Sequence, residues 1–238
     1  MKIKRYQKKF DFSYAFGTYP VIDLLKYHKD SVIKVLKKSI TDDSEGVREV
    51  EELCNTLGIR VEVADRVIEK IAFKENTYVV GVFDKYECKL DTNSNHLVLV
   101  EPRNMGNLGT IIRTMLGFDF KDLALIGSSA DIFDPKVVRS TMGALFRVNF
   151  KYYDTIQEYM SEFVNRSYYT FMLNGAKDIR EVEFKEPFSM IQGNESKGLD
   201  REYMDIGQSV FIPHGKEIDS LNLSIATSIG LWEVSRRK

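Results

Sequence analysis

The sequence predicts an α/β protein in two parts, a small alternating α/β unit over residues 1–90 and a parallel-sheet domain over residues 91–238. Three observations carry this expectation. Short apolar runs of strand length alternate with segments of helical period along the chain, the pattern of helices covering both faces of a parallel sheet. The run Asp91-Thr92-Asn93-Ser94-Asn95 is polar and reads as a linker between two cores. At 238 residues the chain is long enough for one large or two small domains.

Residues 1–10 carry Lys2, Lys4, Arg5, Lys8 and Lys9 around Tyr6 and Phe10 and read as a basic, flexible arm. A helix is expected over 20–28, with Ile22, Leu24 and Leu25 as its apolar surface. The β-rich stretch 31–40 is a strand, and 41–45 an acidic turn. Val47, Val50, Leu53, Cys54 and Leu57 recur at helical spacing and stop at Gly58. A strand over 59–63, a short helix over 66–73 and a strong strand over 78–83 complete the first unit. Beyond the linker, strands are expected at 96–101, 123–126, 150–153, 168–173, 188–192 and 209–212. Helices are expected at 108–117, 135–141 and 156–164. The last helix, 221–235, starts at Ser220 as its cap. It is apolar nearly all round, which predicts burial over nearly all of its surface.

Composition excludes several classes. No apolar run reaches the roughly 20 residues of a membrane helix, and the polar, basic amino end is not a secretory signal. Cys54 and Cys88 have no framework spacing, which suits a reducing cytoplasm. His28, His96 and His214 are scattered, so no metal is expected. The formal net charge is −1, but residues 1–40 hold ten Lys/Arg and three Asp/Glu, a net of +7. Either a phosphate-binding footprint or a solvated lysine-rich face accounts for that excess.

Chemistry concentrates at the carboxyl ends of expected strands, where open α/β sheets bind ligands. Gly193-Asn194-Glu195-Ser196-Lys197-Gly198-Leu199 follows one strand, and Ile212-Pro213 ends the next, before Ser220-Leu221-Asn222. Two such loops and a helix N-terminus make a small polar pocket against apolar walls, suited to a small ligand with polar ends. Earlier in the chain, Asn107-Leu108-Gly109-Thr110-Ile111-Ile112-Arg113 enters a helix, with Asn104 as a rival asparagine. On that apolar turn an inward Arg113 needs an anion. Arg139-Ser140-Thr141-Met142-Gly143-Ala144 forms a third segment.

These three segments resemble the motifs of the SpoU (TrmH) family of the SPOUT superfamily, methyltransferases that act on ribose 2′-hydroxyls of ribosomal or transfer RNA. The resemblance implies a trefoil-knotted carboxyl-terminal domain and a homodimer formed through it. It implies S-adenosylmethionine as cofactor and RNA as partner, 23S ribosomal RNA foremost and transfer RNA as the alternative, without membrane or metal. The first unit resembles, by pattern and position, the ribosomal-protein-like RNA-binding domain that often precedes this catalytic domain. The implied catalytic set is Asn107, Arg113, Glu195, Ser220 and Asn222. The implied cofactor set is Leu173, Asn174, Gly175, Gly193, Asn194, Gly198, Ile212 and Leu221. A guanidinium stays protonated, so Arg113 is expected to clamp the target phosphate and stabilise a developing alkoxide, with Glu195 holding it by a bidentate pair. Thr141 stands where serine is common; it is either a hydrogen-bonding residue near the reaction or part of a helix end packed on the sheet. A non-catalytic RNA-binding protein retaining the fold is the competing class, and a small-molecule enzyme on an α/β sheet a remoter one.

Overall fold

A computed structural model describes residues 3–40, 45–73, 76–173 and 176–237. Residues 41–44 of the expected acidic turn at 41–45 and the first two residues of the basic arm lie outside them, and Glu45 opens a helix instead. By packing, the chain divides into two units: residues 1–86 with 131–147, and residues 87–130 with 148–238.

The first unit contains β1 (Phe12–Phe16), α1 (Thr18–Tyr27), β2 (Val32–Lys37), α2 (Glu45–Leu57), β3 (Val61–Val63), α3 (Asp65–Ile71) and β4 (Val79–Asp84). Its sheet has the order β1-β4-β2-β3. β4 runs antiparallel to β1 and β2, and β3 parallel to β2. The sequence reading missed β1, although Phe12, Tyr14 and Phe16 alternate with the small residues Ser13 and Ala15 that are buried on the other face. Residues 3–10 are not a free arm. Ile3 and Tyr6 pack against the cluster of Tyr14, Phe16, Leu36 and Val82, and the Tyr14 hydroxyl donates to the Lys4 carbonyl at 2.6 Å. The aromatic residues that looked like spacers between lysines tie the segment down.

The segment 131–147 differs most from expectation. It was assigned to the second domain by sequence order, yet it packs with the first unit. Its helix α5 (Pro135–Ser140) lies against β1. Ser13 Oγ donates to the Phe133 carbonyl at 2.5 Å, and Phe146 meets Phe83 edge-on at 5.2 Å.

The second unit contains β5 (His96–Val100), α4 (Met105–Gly117), β6 (Asp122–Ile126), β7 (Asn149–Tyr153), α6 (Ile156–Glu162), β8 (Ser167–Phe171), β9 (Lys177–Asp178), β10 (Phe188–Gln192), β11 (Gln208–Phe211) and α7 (Leu223–Ser235). The seven strands run in the order β7-β6-β5-β10-β8-β11-β9, and each neighbouring pair is parallel. The centre is almost wholly apolar, with Leu97, Val98, Leu99, Met190 and Ile191 fully buried, as strands covered on both faces require. α7 is not buried all round. It packs through Leu223, Thr227, Gly230, Leu231 and Val234, while Ile225 and Trp232 are each 52% exposed. Gly230 allows the close approach, since a Cβ there would stand 3.1 Å from Met190 Sδ and from the Phe171 ring. No helix among the described residues is long and apolar enough to cross a membrane. No group of three or more His, Cys, Asp or Glu among them could hold a metal ion.

Candidate active site

The carboxyl ends of β5, β8, β10 and β11 lie side by side, and their loops build one site. After β10, Asn194 and Gly198 exchange backbone hydrogen bonds of 3.2 and 2.9 Å and close the loop on itself. Gly198 supplies the left-handed turn, with φ at +69°. Gly193 supplies room: a Cβ on it would fall 2.2 Å from the Gly198 carbonyl carbon. The requirement for glycine at 193 therefore comes from the loop's own backbone.

Asn194 also donates from Nδ2 to the Glu101 carbonyl at 2.8 Å. Glu101 presents that carbonyl by taking a left-handed φ of 49° at the end of β5. Glu195 accepts from the amides of Asn104 (3.1 Å) and Arg103 (3.3 Å) and from Asn107 Nδ2 (3.3 Å). Burial pushes its carboxyl pKa upward, but hydrogen bonds from its own amide, Asn104, Arg103 and the Asn107 side chain outweigh this and hold it below the ordinary glutamate value. Asn222 Nδ2 donates to Asn107 Oδ1 at 3.3 Å. Asn222 Oδ1 accepts from the Ser224 amide at 2.9 Å, which caps α7. A single polar chain thus runs from Glu195 through Asn107 to Asn222 and the amino end of α7.

Several expected roles shift. Asn222, not Ser220, caps the last helix, which begins at Leu223. Glu195 holds backbone amides instead of Arg113. Arg113 is exposed on α4 and makes no hydrogen bond or ion pair among the described residues. The helix turns it outward because Leu108, Ile111, Ile112 and Met115 take the buried face. The neighbouring rival Asn104 is the cap of α4, accepting from the amides of Gly106 and Asn107. Thr141 is fully buried in the first unit and donates to the Val138 carbonyl at 2.7 Å, a bond internal to a helix end.

A cavity of about 750 Å³ opens among these loops. Of the residues assigned to the cofactor, Leu173, Gly193, Asn194, Gly198, Ile212 and Leu221 line it, joined by Glu195 and Ser220. Asn174 and Gly175 lie outside the described residues. Asn107, Arg113 and Asn222 do not line it. The sequence reading overlooked Gln192, which lines the cavity while only 2% exposed. The available signal was a polar residue closing a buried strand just before the glycine-bearing loop. The apolar side chains of Leu173, Ile212 and Leu221 facing a glycine-bearing polar loop fit a ligand with a flat apolar part and polar ends, as an adenosyl cofactor has.

A parallel α/β sheet with a ligand cavity over its carboxyl edge is the architecture of a cofactor-binding enzyme. The model of the SpoU rRNA methylase family matches residues 94–232, more than half of the chain, and the chain belongs to that family. It is 32% identical over 162 residues to the 23S rRNA (guanosine(2553)-2′-O)-methyltransferase RlmP of Bacillus subtilis, covering 66% of this chain and 64% of that one. It is 25% identical over 155 residues to the tRNA (cytidine-2′-O-)-methyltransferase TrmJ of Methanocaldococcus jannaschii, covering 60% and 67%. The AdoMet-bound rRNA methyltransferase of Sinorhizobium meliloti superposes with a TM-score of 0.80 at 28% identity, covering 95% of this chain and 87% of that one. The chain spans between 50% and 64% of the length of three curated relatives it matches.

Proposed function

We propose that the chain transfers a methyl group from S-adenosylmethionine to a ribose 2′-hydroxyl of RNA. The cavity over the carboxyl edge of the sheet, built from the 193–198 loop and the segment leading into α7, carries this reading. A ribosomal RNA, 23S foremost, is the first substrate class and transfer RNA the second, since named relatives act on each. Leu173, Ile212 and Leu221 would hold the adenosyl part, and the backbone of Gly193 to Gly198 its polar end. Asn174 and Gly175 belong to the same proposed set. When bound, the cofactor supplies an electrophilic methyl group on a sulfonium.

The protein's own task is alignment of the acceptor and help with loss of its proton. Glu195, Asn107 and Asn222 fix the loop and helix ends around the cavity, and Ser220 lies at its edge. Arg113, exposed and without a protein partner among the described residues, is available to an RNA phosphate and a developing alkoxide. The trefoil knot, a ribosomal-protein-like RNA-binding role for the first unit, a cytoplasmic location and a homodimer through the second unit belong to the same reading. The uncovered Ile225 and Trp232 on α7 support the homodimer.

The test is methyl transfer from labelled cofactor to ribosomal and transfer RNA, with the modified positions mapped. Arg113→Ala is expected to reduce transfer at least about a hundredfold while leaving cofactor affinity within about twofold. Loss of transfer that tracks loss of cofactor binding would remove Arg113 from the acceptor side.

A further inference from the structure

Gln192 is the last residue of β10, wedged between the sheet and α7. Thr227 Oγ1, fully buried on α7, stands 2.6 Å from Gln192 Oε1 and 2.7 Å from the Leu223 carbonyl, so its single proton is shared between two acceptors. With Oε1 placed toward Thr227, the nitrogen end of the amide turns away from this hydroxyl. That nitrogen, Nε2, carries two protons. It meets the thioether of Met190 at 3.6 Å, a weak acceptor that takes one of them. The second proton has no acceptor among the described residues. A buried donor left in this state is costly, and Gln192 lines the cavity. Leu223 and Ala226 of α7 line the same cavity, and the Met190 thioether stands beside the amide nitrogen. A carboxylate would need a cation at such a place, whereas a flat heteroaromatic ring needs apolar contact and a single donor for a ring nitrogen.

We infer that Gln192 donates an N–H to a ring nitrogen of the cofactor's base and thereby sets base specificity, with Thr227 as the positioning residue that holds the amide in its donor orientation. The inference rests on the adenosyl-cofactor reading above.

The experiment is calorimetric titration of the full chain with S-adenosylhomocysteine and with its 1-deaza, 3-deaza and 7-deaza analogues, each lacking one ring acceptor. The wild-type protein is expected to bind one of the three about tenfold more weakly than the parent. Gln192→Met, which keeps length and apolar contact, is expected to bind the parent about tenfold more weakly and to lose discrimination against that same analogue. A general loosening of the cavity would weaken all four ligands alike and leave the wild-type ratios intact, which overturns the inference. Equal wild-type affinity for all four ligands overturns it as well. Thr227→Val, in which the amide is free to turn, is expected to narrow the ratio while still binding the parent. It serves as the second variant should Gln192→Met fail to fold. No binding of the parent by the wild-type protein would instead overturn the proposed function.

Discussion

His96 is kept neutral by its surroundings, and that neutrality ties stability to pH. It is fully buried at the start of β5. Its Nε2–H donates to the Asp91 carbonyl at 2.7 Å, so Nδ1 is the acceptor facing the Tyr159 hydroxyl and an Arg166 nitrogen, each at 2.8 Å. Burial, and next the Arg166 guanidinium, push its pKa down to about 4. The unfolded chain protonates this side chain near the ordinary value of about 6.5. Between those values the unfolded state binds more protons, so the contribution of His96 is complete above the upper value and lost as pH falls toward the lower one. Its size is on the order of 3 kcal/mol. Thermal melts are expected to show the midpoint falling from pH 6.5 to 4, with a shallower fall for His96→Gln. Parallel curves would place the pH dependence elsewhere. The sequence showed His96 only as one of three scattered histidines. Its neutral state rests on burial first and then on Arg166, 70 positions away, and no spacing rule reaches that far. Gly193, by contrast, was legible, because a glycine at the end of an apolar strand signals close backbone approach. What crowds it, the Gly198 carbonyl, became clear only in three dimensions.

At the scale of the element, boundaries and faces separate what was readable from what was not. The apolar runs located nine of the eleven strands approximately; β1 and the two-residue β9 were missed. Helix α7 was found, but its cap was misplaced by two residues because Ser220 and Asn222 are both good caps. Asn222 takes the cap, and its amide also reaches Asn107. This double role separates two variants. Asn222→Ala loses the cap and is expected to cost about 1 kcal/mol of stability. Asn222→Asp keeps the cap oxygen on the Ser224 amide but has no donor for Asn107 Oδ1. Chemical denaturation should show the Ala variant destabilised and the Asp variant near wild type. Methyl transfer should fall in both if the chain from Glu195 to α7 holds the site in shape. Full activity in the Asp variant would confine Asn222 to capping. The apolar face of α7 was readable as apolar, yet not as exposed, since composition cannot say which of two apolar faces finds a partner within the chain.

For the whole molecule, the polar run at 91–95 suggests two contiguous parts, whereas packing divides the chain after Tyr86 and returns residues 131–147 to the first unit. The return of residues 131–147 to the first unit was not legible, because local pattern fixes a helix at 135–140 without saying which sheet receives it. The consequence for truncation is direct. A fragment of residues 91–238 keeps the parallel sheet but strips Phe133, Val137, Val138 and Phe146, all buried in the full chain, of partners in residues 1–86. It is expected to bind a hydrophobic dye and to aggregate, and the reverse result, a monomer with a cooperative melt, would mean that 131–147 contributes little to the first core. The proposed division of labour, RNA affinity in the first unit and chemistry in the second, is therefore better probed by charge-reversing Lys4 and Lys9, both exposed, than by deletion. The same interleaving orders events at the ribosome. Domains tend to fold as units, amino end first, as the chain emerges. Here the first unit's last packing layer is made only with residue 147, after β5, α4 and β6 have been synthesised. The nascent amino-terminal sheet must wait, with the face around Phe83 uncovered, while strands of the other sheet are already in the open.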